Sequence, residues 1–127
     1  HPEVAFCGLT EEAARAAGHE VVTSVHRFAG NSRAQIMQEA DGLVKVVATA
    51  GGVLLGVHIV GAEASNLISE AALAIEMGAH VEDLALTVHP HPTLPETLME
   101  AAEATLGHAI HIFQKKPAAS AQPQARM

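Results

Sequence analysis

The 127 residues carry 7 Lys+Arg against 14 Asp+Glu, a formal charge of −7, and are 49% hydrophobic with no Trp, no Tyr and three Phe. Such a composition excludes a disordered or fibrous chain, and at this length roughly two-thirds of the unfolded surface is buried on folding, enough for a core without disulfides or metal. With no basic stripe to neutralise phosphates, nucleic acid is not an expected partner, and the longest uncharged stretch, Val46 to Ala62, is interrupted by Gly51, Gly52 and Gly56 and carries His58, so no membrane span is expected either.

The chain opens at His1-Pro2-Glu3 with neither an initiator Met nor a charged-then-apolar leader, so a cytoplasmic location and a longer parent polypeptide are expected. Val4 to Gly8 reads as a short strand in which Cys7 is a small apolar residue, having no second Cys to pair with and no neighbouring cation to activate it. Thr10-Glu11-Glu12 then open an alanine-rich helix that stops at Gly18: a hydroxyl cap, carboxylates in the first turn, a glycine past the end. From Glu20 to Phe28 β-branched residues favour a strand, and Ala29-Gly30-Asn31-Ser32 is turn chemistry leading into a segment, Arg33 to Gln38, of undefined type.

Leu43 to Thr49 and Val53 to Val60 flank Ala50-Gly51-Gly52 as a hairpin, with Leu55, Val57 and Ile59 on the buried face and Gly56 and His58 on the other. Because these glycines join two strands and lack the G-x-G-x-x-G spacing, they read as a turn and a close strand approach, not as a nucleotide loop. After Gly61 the period changes to that of a helix, with Leu67, Ala71, Ala74 and Ile75 on one face and Gly78 as the stop. A further helix is expected from about Leu94 to Leu106, with Leu94, Leu98, Ala101, Ala102 and Thr105 on one face and Glu100 and Glu103 off it. Residues 1–113 are expected to form one domain and 114–127 a solvated tail. Strands and helices that do not alternate strictly, around a central hairpin, give an α+β fold: an antiparallel sheet with helices packed on one face.

Nine histidines invite a metal reading, and His89-Pro90-His91 would place two imidazoles together. A zinc site needs more ligands than that, and the other close pair, His108 and His111, lies beyond a helix, so no metal site is assigned. His58, alone on a less apolar strand face, reads as a hydrogen-bonded sheet residue.

The segment Val88-His89-Pro90-His91-Pro92-Thr93-Leu94-Pro95-Glu96 carries more chemistry. Proline after His91 biases that residue toward extended backbone and stiffens its presentation. Glu96, five residues on, falls in the first turn of the next helix, within reach of one ring nitrogen, where a carboxylate would fix the tautomer and leave the other nitrogen as a base near neutral pH. The same residues satisfy a capping box, Thr93-x-x-Glu96, in which Glu96 serves only the helix start. Spacing leaves both readings open.

The string from His89 to Glu96 resembles the H-x-H-P-T-L-x-E signature of dihydrolipoamide dehydrogenases, within the pyridine nucleotide-disulfide oxidoreductase family. Val4 to Glu11 resembles that family's V-A-x-V-G-L-T-E opening, Asn31-Ser32-Arg33-Ala34 its N-x-R-A step and Gly42-Leu43-Val44-Lys45 its G-F-V-K strand. Leu55 to Gly61 is similar to L-G-x-H-I-V-G, and Glu63 to Ile75 to A-x-x-L-I-x-E-A-A-x-A-I. The ordered likeness runs from about Glu3 to Phe113.

It implies a C-terminal interface, or dimerisation, domain of a homodimeric flavoprotein that uses FAD and NAD and serves the lipoyl domains of 2-oxo acid dehydrogenase complexes. By the same resemblance His91 is the acid–base residue acting across the dimer, Glu96 the carboxylate that orients it, and His91 and Pro92 approach the other subunit's FAD. The family's nucleotide-binding glycines and its C-x-x-x-x-C redox pair are absent here, so this chain alone is expected to be inactive and to bind no cofactor. Cys7 stands where the family has an aliphatic residue, and Pro95 where a small polar residue is frequent. Glutathione-reductase-like relatives share H-P-T and the following Glu but usually have a second Glu at the position of Thr97, and mercuric-reductase-like relatives lack the histidine. The alternatives are an interface domain of such another disulfide reductase, a stand-alone interaction module, or a small histidine-rich metal-binding protein.

Overall fold

A computed structural model describes residues 1–107 and 110. The boundary expected at residue 113, the tail over 114–127, and His108 and His111 lie outside the described residues. Four strands, β1 (Glu3–Gly8), β2 (Val21–Arg27), β3 (Leu43–Thr49) and β4 (Leu54–Gly61), form one antiparallel sheet in the order β1-β4-β3-β2. The helices are α1 (Glu11–Ala16), α2 (Ser32–Ile36), α3 (Ala64–Glu76), α4 (Val81–Leu86) and α5 (Glu96–Thr105). The α+β class and the antiparallel sheet are as the sequence implies.

The core lies between one sheet face and the long helices. Val44, Val46, Val57 and Ile59, alternating along β3 and β4, are fully buried beneath Leu67, Ala71 and Ala74 of α3 and Leu98, Ala101 and Ala102 of α5. Ser24 on β2 ties α5 down by donating its hydroxyl to the Ala101 carbonyl. The opposite face is not bare, so the single-face expectation needs amending. There α1 lies over the sheet with Ala14 and Val47 fully buried, and Glu11 accepts a hydrogen bond from Lys45 of β3 at 2.7 Å. Thr10 caps α1, as expected, by accepting from the Ala13 amide at 3.1 Å.

Two local expectations are corrected. The register of β3 against β4 slips between Val47 and Ala48, so that Ala48 faces Leu54 and Leu55 bulges out of the ladder. One extra residue inverts the alternation, so Leu54 enters the core while Leu55 is only half-buried. Glu100, placed off the apolar face by helical periodicity, is buried because the chain returns past it, and its carboxylate accepts the Ile110 amide at 3.2 Å. The short α4 is not expected from the sequence, although Glu82 and Asp83 in its first turn, with Val81, Leu84 and Ala85 buried, are its signature in retrospect.

Gly56 behaves as the close approach that the sequence suggests: a Cβ there would stand 1.9 Å from the Leu9 carbonyl oxygen. The residue beyond the next, His58, hydrogen-bonds that same carbonyl through Nε2 at 3.1 Å and stacks on Phe6. Cys7 is half-buried against the core, and burial pushes its thiol above the ordinary value, consistent with an inert strand residue.

Glu11 is held below the ordinary carboxylate value of 4.5 by its hydrogen bonds to Lys45 and then Arg15. A carboxylate lowered in the folded state contributes stability above its unfolded pKa, and that contribution fades as pH falls through 4.5 and below. Glu11→Gln therefore lowers the unfolding temperature at neutral pH, and the gap from wild type closes on acidification. A gap that is constant across the titration would show that the ion pairs contribute nothing.

Candidate active site

The loop between α4 and α5 carries His89 and His91 and leads into Glu96, the first residue of α5, and its path follows from its ends. Thr87 terminates α4 in extended backbone, its hydroxyl donating to the Asp83 carbonyl at 2.6 Å. At the other end α5 begins at Glu96, directly after Pro95, a residue that a first helical turn tolerates because its missing N–H has no partner there anyway. Between them Thr93 donates its hydroxyl to the Pro90 carbonyl at 2.6 Å, and its own carbonyl accepts from the Asn31 amide group at 3.0 Å. Asn31 also caps α2 through the Ala34 amide at 2.9 Å, so one buried side chain joins α2 to the loop. That explains the turn residue of the N-x-R-A step: it is a clamp for the loop.

His91 and Glu96 come together. Nδ1 of His91 lies 3.0 and 3.2 Å from the two carboxylate oxygens of Glu96, and the His91–Pro92 bond is cis. The His91 side chain is 64% exposed and that of Glu96 only 15%, so the base faces solvent while its carboxylate partner is sheltered. A carboxylate only accepts, so Nδ1 carries the proton and Nε2 the lone pair when the ring is neutral. Among the described residues Nε2 has no hydrogen-bond partner.

Glu96 also accepts the Thr93 backbone N–H at 2.8 Å, the half of the capping box that a Glu supplies. The reciprocal half is not made, because the Thr93 hydroxyl is turned to Pro90. The two readings of Glu96 left open by spacing are therefore one arrangement: the bond from the Thr93 amide to Oε2 holds the carboxylate where both its oxygens meet the imidazole.

His89 goes elsewhere. Its Nε2 lies 2.6 Å from Oε1 of Glu70 on α3 and its Nδ1 2.8 Å from the Thr87 carbonyl oxygen. The two imidazoles of His89-Pro90-His91 thus engage different carboxylates instead of converging on a shared point. Glu70 receives no role from the sequence, where it is only the Glu of the α3 pattern; it lies half-buried at the edge of the apolar stripe, 19 positions before its partner. Beside the dyad a small pocket of about 150 Å³ is lined in part by Asn31, Met99 and the buried His26 and Glu100, neither of which stands out in the sequence.

Fold and site together define a class: an antiparallel α+β domain that presents a histidine–carboxylate base from a proline-flanked loop at its surface. Comparison with known proteins makes the class specific. Residues 1–102 match the family described as pyridine nucleotide-disulphide oxidoreductase, dimerisation domain, and the chain belongs to it. It is 55% identical over 115 residues to a dihydrolipoyl dehydrogenase of Thermus scotoductus, covering 90% of this chain and 25% of that protein, and 50% identical over 115 residues to one of Halobacterium salinarum, covering 90% and 24%. Among solved structures, LpdA of Mycobacterium tuberculosis superposes with a TM-score of 0.75 at 30% identity over 81% of this chain and 23% of that one. The HOCl-induced flavoprotein disulfide reductase RclA of Escherichia coli, at 22% identity and a TM-score of 0.76 over 80% of this chain and 24% of that one, shares the fold. The chain spans about a quarter of the length of the curated relatives it matches. Among the described residues no helix is long and apolar enough to cross a membrane.

Proposed function

We propose that this chain is the dimerisation domain of a flavin-dependent dihydrolipoamide dehydrogenase, in which His91, oriented by Glu96, is the acid–base residue for oxidation of dihydrolipoyl groups. The observation that carries the reading is the His91 ring, held at Nδ1 by both oxygens of a sheltered carboxylate while the ring itself faces solvent. Thiol–disulfide exchange proceeds through the thiolate, and a free thiol is mostly protonated at neutral pH. His91 takes that proton at Nε2, Glu96 stabilises the imidazolium that results, and the thiolate is released to attack a disulfide.

That disulfide lies outside this chain, as do the sites for FAD and NAD, which supply the electron-accepting chemistry. The chain's own residues do not make a dinucleotide site: the glycines at 51 and 52 turn an antiparallel hairpin, and every strand pairing in the sheet is antiparallel. The part assigned to His91 and Pro92 is to face the flavin-bearing subunit.

A homodimer acting on the lipoyl domains of 2-oxo acid dehydrogenase complexes follows from the same reading. It is supported by the family's description as a dimerisation domain and by the apolar side chains exposed beside the loop. Val88, next to His89, is 93% exposed, and Leu86 at the end of α4 and Leu73 and Met77 on α3 are also open to solvent. The runner-up, a glutathione-reductase-like enzyme, fits less well at Thr97, which is fully buried with its hydroxyl donated to the Leu94 carbonyl at 2.6 Å. A carboxylate there would need a charge partner in the core.

Action across the dimer is tested by complementation in the full-length polypeptide. Subunits carrying His91→Gln and subunits lacking the redox cysteines are each inactive alone, and mixed dimers recover dihydrolipoamide oxidation with NAD. No recovery in isolated mixed dimers would place the base and the disulfide on the same subunit and overturn the proposal.

A further inference from the structure

Two residues before His91, the His89 ring is only 6% exposed, and both its nitrogens face oxygen acceptors: the Thr87 carbonyl at 2.8 Å and the Glu70 carboxylate at 2.6 Å. A neutral imidazole has one N–H and can donate to only one of them, leaving the other contact lone pair against lone pair. The pattern is complete when one proton lies in each contact, the one shared with Glu70 sitting on Nε2 or on the carboxyl oxygen. We propose that Glu70 and His89 are positioning residues for His91: a hydrogen-bonded pair between α3 and the loop that sets where the base stands.

The inference rests on the function proposed for His91 and adds to it the reason the loop is held. Only Pro90 separates His89 from His91, and Pro92 follows, so two of the φ angles flanking the base are fixed by proline rings. The Pro90 carbonyl is further tied by the Thr93 hydroxyl at 2.6 Å. A segment with so few soft torsions passes a displacement at His89 on to His91 instead of absorbing it. Glu70 matters as an anchor because it belongs to α3, whose Leu67, Ala71 and Ala74 are packed in the core, whereas the His91 ring is hydrogen-bonded, among the described residues, to Glu96 on α5. The base is thus referenced to two helices, each through a histidine–carboxylate contact.

Nitrogen-15 spectra of histidine side chains in the 127-residue chain near neutral pH test the pair directly. In wild type the His89 ring resonances report a hydrogen bond at each nitrogen. In Glu70→Gln the His89 Nε2 resonance moves, the His91 ring resonances and its Nδ1–H signal move with it, and Glu70→Asp restores the wild-type pattern in part. A hydrogen bond at only one His89 nitrogen in wild type, or His91 resonances unchanged in Glu70→Gln, overturns the proposal. Should Glu70→Gln fail to fold, His89→Gln is read through the same His91 resonances with the same two outcomes.

In the full-length enzyme Glu70→Gln lowers kcat by about 10- to 100-fold with KM for NAD unchanged, the size of effect expected when a reacting group is displaced by a fraction of an ångström to an ångström. An unaltered kcat there, with wild type active, also overturns the proposal. Absence of dihydrolipoamide oxidation in wild type instead overturns the functional reading, while the ring spectra still decide whether the His89–Glu70 pair sets the place of His91.

Discussion

Replacing His91 by Gln in the full-length polypeptide lowers dihydrolipoamide oxidation by about 10²- to 10⁴-fold, the range that a positioned acid–base group supplies. The loss is chemical, not structural. The side chain is 64% exposed, and a Gln amide can still donate to Glu96, so the loop keeps its contact to the start of α5 and the variant unfolds at the wild-type temperature. What disappears is the imidazole that accepts the thiol proton. Attack on a disulfide then depends on the small fraction of dithiol already ionised, so activity of the variant rises with pH toward the ordinary thiol pKa, near 8.5. Stopped-flow reduction by dihydrolipoamide, followed from about pH 6 to 9, reads both the magnitude and this slope. Turnover within a fewfold of wild type at neutral pH removes His91 from the chemistry, however well the geometry suits it.

The largest expected effect on stability comes from a glycine. Gly56→Ala places a methyl carbon 1.9 Å from the Leu9 carbonyl oxygen and 2.9 Å from its carbonyl carbon, both backbone atoms, so no side chain can swing away to make room. Leu9 cannot retreat alone. Its amide donates to the Leu55 carbonyl at 2.8 Å, its carbonyl accepts from His58 at 3.1 Å, and α1 follows two residues later with Glu11 tied to Lys45. Relief requires the β1–α1 connection to lift off β4, giving up those bonds and exposing Ala14 and Val47. Overpacking of a core typically costs 1–3 kcal/mol, and a clash against hydrogen-bonded backbone belongs at about 3 kcal/mol or more. Urea unfolding of the 127-residue chain measures it, and a change below about 1 kcal/mol would mean that the approach of Leu9 to β4 is much looser than the structure has it.

These two residues illustrate what is legible in a sequence and what is not. Gly56 is readable as a close approach because a glycine inside a β-branched run has few other uses, yet its neighbour, Leu9, lies 47 positions away and is unknowable without the fold. For Glu96, spacing offers a capping box or a dyad as competing uses of one side chain. The structure makes them compatible, because one carboxylate has acceptor capacity for both: Oε2 takes the Thr93 amide while the His91 ring lies within reach of both oxygens, nearer Oε1. Resemblance to a family, carried by motifs spread over most of the chain, is what pointed to the dyad in advance.

The elements themselves are local matters. Thr10 and Gly18 bound a helix, the β-branched run of β2 and the Gly51-Gly52 turn mark strands, and the apolar period of α3 marks its buried face, because caps, propensities and periodicity act within a few residues. Those features, with the family's ordered motifs, are what the sequence by itself determined: an α+β dimerisation domain with His91 and Glu96 as the residues to examine. The tertiary structure alone decided the bulge at Leu55, the burial of Glu100, the clamp from Asn31 to Thr93 and the engagement of His89 by Glu70. Each of these joins groups from different elements, and whether a carboxylate 19 residues away meets an imidazole depends on how helices pack on a sheet, which no local preference encodes.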